Sequence, residues 1–88
     1  MTEIQIEIIN SAGLHARAAS KLAELCASFG CEIKVGHEKM VDGKSILSLM
    51  MLAAVKGTML TITANGPDEE RAIEAVSSLI NNRFDEGE

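Results

Sequence analysis

Glu3-Ile4-Gln5-Ile6-Glu7-Ile8, then Asn10-Ser11-Ala12-Gly13, then Ala16-Arg17-Ala18-Ala19-Ser20-Lys21-Leu22-Ala23-Glu24-Leu25-Cys26: across these residues the apolar period changes once. In the first run it is two, with Ile4, Ile6 and Ile8 on one side and Glu3, Gln5 and Glu7 on the other, which predicts a strand with one wet face. Asn10 to Gly13 is turn chemistry. In the last run Ala19, Leu22, Ala23 and Cys26 recur at helical spacing, which predicts an amphipathic helix to about Ser28, with Gly30 as its left-handed stop. A strand that hands over to a helix through a glycine loop is the unit from which the rest is read.

Cys31, Ile33 and Val35 alternate with Glu32 and Lys34, giving a second strand. Gly36-His37-Glu38 turns into a short third strand over Lys39 to Val41, closed by Asp42-Gly43. Ser45 is a good N-cap for Ile46 to Val55, in which Ser48 is the one polar residue. Ile46, Leu49, Met50 and Ala53 form one stripe of that helix; Leu47, Met51 and Ala54 form another. One stripe is expected to be buried and the other to face a partner. Lys56-Gly57 is the expected end of the helix. Thr58 to Ala64 reads as a strand with Leu60, Ile62 and Ala64 inward. Asn65-Gly66-Pro67-Asp68-Glu69-Glu70 reads as a helix start, with Pro67 in the first helical position and three acids in the first turn. Ala72, Val76, Leu79 and Ile80 carry that helix's apolar stripe, Asn81-Asn82 ends it, and the charged tail Arg83 to Glu88 is expected to fray. The order β-α-β-β-α-β-α predicts an α+β fold: a two-layer, open-faced sandwich of four antiparallel strands covered on one face by three helices, as a single domain over residues 1–88.

Composition removes several functions. With two Phe and no Tyr or Trp, the core is expected to be aliphatic, built from Ile, Leu, Val, Ala and Met, and there is no platform for stacking bases. A net charge of −5 argues against binding nucleic acid. No apolar run is long enough for membrane insertion and no leader precedes the first strand, so the expected location is cytoplasmic, with Cys26 and Cys31 as reduced thiols. Their spacing fits no metal or redox motif, and neither a metal nor a cofactor is expected. His37 reads as an exposed turn residue.

Gly13-Leu14-His15-Ala16-Arg17-Ala18-Ala19 places an imidazole and a guanidinium at a helix N-terminus, where unpaired N–H groups and the helix dipole favour an anion. His15 offers a neutral nitrogen nucleophile near pH 7, and Arg17 a permanent charge suited to phosphate. Lys21 lies on the same side as Arg17, and two cations on the first turns suit an anion. The backbone of Ala16 and Arg17 would hold the phosphate. By pattern alone, a lone loop histidine is more often a polar surface residue than a nucleophile.

Three segments together resemble the HPr family, the phosphocarriers of the bacterial phosphotransferase system: Gly13 to Ala19; Gly43-Lys44-Ser45-Ile46 followed by Lys56-Gly57; and Asn65 to Glu70. The resemblance covers essentially the whole chain. It implies that His15 is phosphorylated on a ring nitrogen by enzyme I and passes the group to an enzyme IIA, with Arg17 steadying it. It also implies a transient phosphohistidine rather than a free-standing turnover enzyme, and Ser45 as a regulatory site for an HPr kinase/phosphorylase. Docking contacts would come from Ser20, Ile46, Leu47, Met50 and Met51 of a monomer. One departure stands out: most relatives have Pro directly after the active-site Arg, where this chain has Ala18.

Two other readings compete within the resemblance. A nitrogen-branch paralogue would use the same chemistry for regulation instead of sugar import, and the acidic tail and Met-rich helix lean that way. A non-catalytic regulator acting through phospho-Ser45 would have lost the active-site histidine, whereas His15 is present. A metal-handling domain would need a paired Cys loop, which is missing. An enzyme would need a second acid–base residue beside His15, and none is visible in the sequence.

Overall fold

β1 (Thr2–Glu7) pairs along its whole length with β4 (Met59–Asn65), so Ile4 faces Ile62 and Ile6 faces Leu60. The computed structural model describes residues 1–86. Between these strands the chain forms α1 (Ala16–Ala27), β2 (Glu32–Gly36), β3 (Met40–Asp42) and α2 (Ile46–Met51); after β4 come α3 (Glu69–Asn81) and a single 3₁₀ turn, Arg83–Asp85. The sheet order is β1-β4-β2-β3 and every pair is antiparallel. The three α-helices lie on one face. Their apolar stripes meet the inward residues Ile6, Ile33, Val35, Leu60, Ile62 and Ala64, while Glu3, Gln5 and Glu7 face solvent. This is the open-faced α+β sandwich expected from the periodicity.

Several local expectations fail for identifiable reasons. α2 stops at Met51, well short of Lys56-Gly57, because Ala53 takes a left-handed φ of 52° and Ala54 turns inward. Gly57 instead bends the chain into β4, its N–H donating to the Ile8 carbonyl at 2.7 Å. Neither apolar stripe of α2 is buried as a set: Leu49 is enclosed, while Ile46, Leu47, Met50 and Met51 are all exposed. All five methionines face solvent, so the core holds no Met.

Gly30 is not a left-handed helix stop; the left-handed glycines are Gly13, Gly57 and Gly66. α1 tightens instead through Ser28 and Phe29 N–H groups donating to Leu25 and Cys26 carbonyls, both at 3.1 Å. The Gly30 and Cys31 N–H groups donate to the Asp68 carboxylate at 2.9 and 3.0 Å. Asp68 is thus the N-cap residue of α3, Pro67 precedes it, and the first-turn acids are Glu69 and Glu70.

The tail differs most. Arg83 to Asp85 do not fray: they form the 3₁₀ turn, and Phe84 is fully enclosed, the largest buried side chain in the core. Removing that ring from water is worth roughly 2–3 kcal/mol. It offsets part of the cost of three consecutive left-handed residues, Arg83, Phe84 and Asp85, which is roughly 3–6 kcal/mol together. Lys21 adds a further tie, donating to the Phe84 carbonyl at 2.9 Å with Asp85 4.0 Å away. Lys21 is therefore engaged with this turn and does not join Arg17 at the helix start. The last two residues of the expected tail, 87 and 88, lie outside the described residues.

Candidate functional site

His15 is the N-cap residue of α1, with extended backbone angles and no side-chain capping bond. Ala19 is the first residue to close a helical bond, donating to the His15 carbonyl at 2.8 Å. The N–H groups of Ala16, Arg17 and Ala18 therefore have no acceptor within the helix and lie at its positive end. Ala16 and Arg17 are exposed, whereas Ala18 and Ala19 are buried against the core.

The loop before His15 is held on both sides. Gly13 has a φ of +69°, and a Cβ there would sit 2.5 Å from the Ala54 carbonyl oxygen. Only glycine fits so close an approach. Leu14 is buried, and its N–H donates to the same carbonyl at 2.8 Å. The imidazole thus stands on a fixed base next to the segment that follows α2.

The ring itself is partnered by a residue that the sequence reading missed. Glu86 Oε2 lies 2.5 Å from His15 Nε2, and Glu86 Oε1 accepts from Asn10 Nδ2 at 2.9 Å. The same Asn10 nitrogen donates to the Gly13 carbonyl at 2.9 Å, and Asn10 is fully buried. Burial works to raise the Glu86 carboxyl, but hydrogen bonds from Asn10 and His15 and the charges of His15 and Arg17 outweigh it and hold the group below its ordinary range. An ionised carboxylate only accepts, so the nitrogen facing it carries the proton. In a neutral imidazole that leaves the lone pair on Nδ1. A carboxylate is therefore present beside His15, contrary to the expectation that no second acid–base residue accompanies it. No local spacing could have revealed it, since 71 residues separate the two.

The His15 side chain is 35% exposed. Clefts of about 420 Å³ beside Lys21 and Leu79, and about 350 Å³ beside His37 and Met51, do not include it. The ring is thus partly exposed, and neither of these clefts encloses it. Arg17 is exposed, two residues along from His15. Among the described residues no group of His, Cys, Asp and Glu could hold a metal ion. Cys26 and Cys31 are free and buried; burial pushes the Cys26 thiol up to about 12.

Ser45 caps α2, its Oγ accepting from the Ser48 N–H at 3.3 Å. Beside it Ile46, Leu47, Met50 and Met51 form an exposed apolar patch. Exposed Val55 brings that patch next to the His15 loop, since a Cβ on Gly13 would lie 2.9 Å from Val55 Cα. Ser20, on α1, is half-buried. His37 is exposed in its turn, as expected.

Comparisons with known proteins identify the family and the fold. The family model for the PTS HPr component phosphorylation site matches residues 2–82. The phosphocarrier protein HPr of Pseudomonas aeruginosa is 51% identical over 90 residues, covering all of both chains. The phosphocarrier protein NPr of Escherichia coli is 40% identical over 83 residues, covering 92% of each. The crystal structure of HPr-C-His from Thermoanaerobacter tengcongensis superposes with a TM-score of 0.94 at 40% identity, covering 98% of each chain. No helix among the described residues is long and apolar enough to cross a membrane. The chain belongs to the HPr family, the phosphocarrier proteins of the phosphotransferase system.

Proposed function

We propose that this protein takes a phosphoryl group onto His15 from phosphorylated enzyme I and gives it to an enzyme IIA. The observation that carries the proposal is the state of the ring: Nε2 is occupied by Glu86, at the mouth of a helix whose first N–H groups are unpaired. The Nδ1 lone pair attacks phosphorus, the bond from phosphorus to the donor breaks, and its electrons leave with the donor. Such a transfer is mostly positioning and electrostatics. Backbone N–H groups of Ala16 and Arg17 bind the phosphoryl oxygens, and the Arg17 guanidinium neutralises them. The resulting phosphoramidate is reactive enough to be passed on. Ala18 in place of the family's Pro leaves one more N–H donor in the first turn.

The exposed patch of Ile46, Leu47, Met50 and Met51, together with Ser20 on α1, is the docking surface for both partners. The protein acts as a monomeric single domain over residues 1–88. Ser45 is a second phosphorylation site, used by an HPr kinase/phosphorylase where one exists; a phosphate there sits at the start of α2 beside the docking patch. A relative named HPr is 51% identical and one named NPr 41%, which favours the sugar branch over the nitrogen branch.

Incubation with enzyme I and labelled phosphoenolpyruvate tests the central assignment. The parent takes up acid-labile label, His15→Ala takes up none, and an added enzyme IIA discharges the parent. Label that persists in His15→Ala overturns it.

A further inference from the structure

We propose that Glu86 is a positioning residue for transfer at His15: its carboxylate holds the Nε2 proton, aims Nδ1 outward, and balances the charge the ring gains on attack. This rests on the reading of His15 as the phosphoryl carrier. Glu86 lies past residue 82, where the family match ends.

Both carboxylate oxygens are committed, Oε2 to His15 and Oε1 to Asn10. Asn10 is in turn fixed by the Gly13 carbonyl, in the loop that carries His15. Its orientation is dictated by these contacts, since a flipped amide would set its oxygen against two acceptors. The strap that delivers Glu86 is anchored as well: Phe84 is buried, Lys21 donates to its carbonyl, and Asn82 donates to Asp85. The Glu86 N–H closes on the Arg83 carbonyl at 3.0 Å. An arm built in this way restrains the rotation of the ring.

The charge argument follows the electrons. When the Nδ1 lone pair forms the N–P bond, the donor keeps the pair from its broken bond and the ring becomes cationic. The proton stays on Nε2, opposite a carboxylate. A carboxylate behind a histidine commonly fixes its tautomer and stabilises its cation in nucleophilic sites. Arg17 is the other charge facing Glu86, and it helps to keep the carboxylate ionised.

Parent, Glu86→Gln and Glu86→Ala are compared in single-turnover transfer from phosphorylated enzyme I and by proton–nitrogen NMR of the His15 ring. Glu86→Gln keeps the shape and removes the charge. The transfer rate at saturating donor is expected to fall on the order of tenfold, with half-saturation unchanged because the docking patch is intact. The Nε2 proton should exchange slowly in the parent and be lost to solvent in Glu86→Ala. Thermal unfolding of each variant separates this from loss of fold, and Glu86→Gln decides if Glu86→Ala unfolds. Parental transfer rate in Glu86→Gln overturns the proposal, and so does a faster one, which would make Glu86 a brake. A parent that accepts no phosphoryl group, with its Nε2 proton protected, refutes the carrier reading itself and this proposal with it.

Discussion

The Ala54 carbonyl accepts the Leu14 N–H at 2.8 Å and also blocks any side chain at Gly13. One backbone oxygen after α2 therefore sets the height of the loop on which His15 stands. The exposed patch on α2 and the His15 ring therefore share one joint, and under the proposed function a partner seated on α2 would find the imidazole in a fixed place.

Gly13→Ala tests that joint. The left-handed φ of +69° costs a non-glycine residue roughly 1–2 kcal/mol, and the new Cβ would meet backbone atoms of Ala54 and Val55 at 2.5 and 2.9 Å. The expected loss is about 2–4 kcal/mol in urea unfolding at an unchanged slope. Transfer to His15 should slow even at temperatures where the variant stays folded. A variant as stable as the parent would show that the loop is free to move.

Phe84→Ala tests whether the C-terminal turn belongs to the core. Phe84 is fully buried, so truncation should cost about 3–5 kcal/mol in urea unfolding. Phe84→Leu should cost about 1–2 kcal/mol. A frayed tail would give changes within about 0.5 kcal/mol for both. Because this ring anchors the arm that carries Glu86, Phe84→Ala should also release the Nε2 proton of His15 to exchange.

How much of this was legible in the sequence depended on distance along the chain. The alternation in β1 and β4 and the helical spacing of Ala19, Leu22, Ala23 and Cys26 are local, and their elements formed as read. Ser45 as a cap was equally local. The parts that were not read depend on distant partners. Phe84 looked like one apolar residue in a charged tail, yet Lys21 holds its carbonyl across 63 residues. Asp68 looked like a first-turn acid, yet it caps Gly30 and Cys31 across 38 and 37 residues. Glu86 could not be paired with His15 by any spacing rule. The early end of α2 follows from the demand of Leu14 for the Ala54 carbonyl, which no helix propensity expresses.

Ser45 separates cap from switch. Ser45→Ala removes the acceptor for Ser48 and should cost about 0.5–1 kcal/mol, at the low end for caps because the bond is 3.3 Å long. Ser45→Asp keeps an acceptor at the start of α2, so its stability should stay close to that of the parent. Its charge sits beside exposed Ile46 and Leu47, which a docked partner must desolvate. Transfer from enzyme I should therefore fall about tenfold, equivalent to about 1.4 kcal/mol, while Ser45→Asn, a neutral cap, transfers at the parental rate. Equal rates for Asp and Asn would remove the regulatory reading of Ser45.

Asp68 predicts the acid limit of the fold. The Gly30 N–H bond, followed by the contacts with Cys31, holds its carboxyl below the ordinary 3.8. Glu69 is lowered below 4.5 in the same way, by Thr2 first and then by the Gly66 N–H. A carboxylate with a depressed folded value binds fewer protons folded than unfolded, so stability rises with pH across that interval. The contribution of Asp68 is fully present above its ordinary 3.8 and is lost as pH falls through its lower folded value. Asp68→Asn keeps the size but cannot be charged. Its unfolding free energy should be below that of the parent at neutral pH, and the gap should close as pH falls from about 5 towards 2. Urea unfolding at several pH values measures the gap. A gap that stays constant with pH would mean that Asp68 acts through shape alone and that the Gly30–Cys31 turn is held by other contacts.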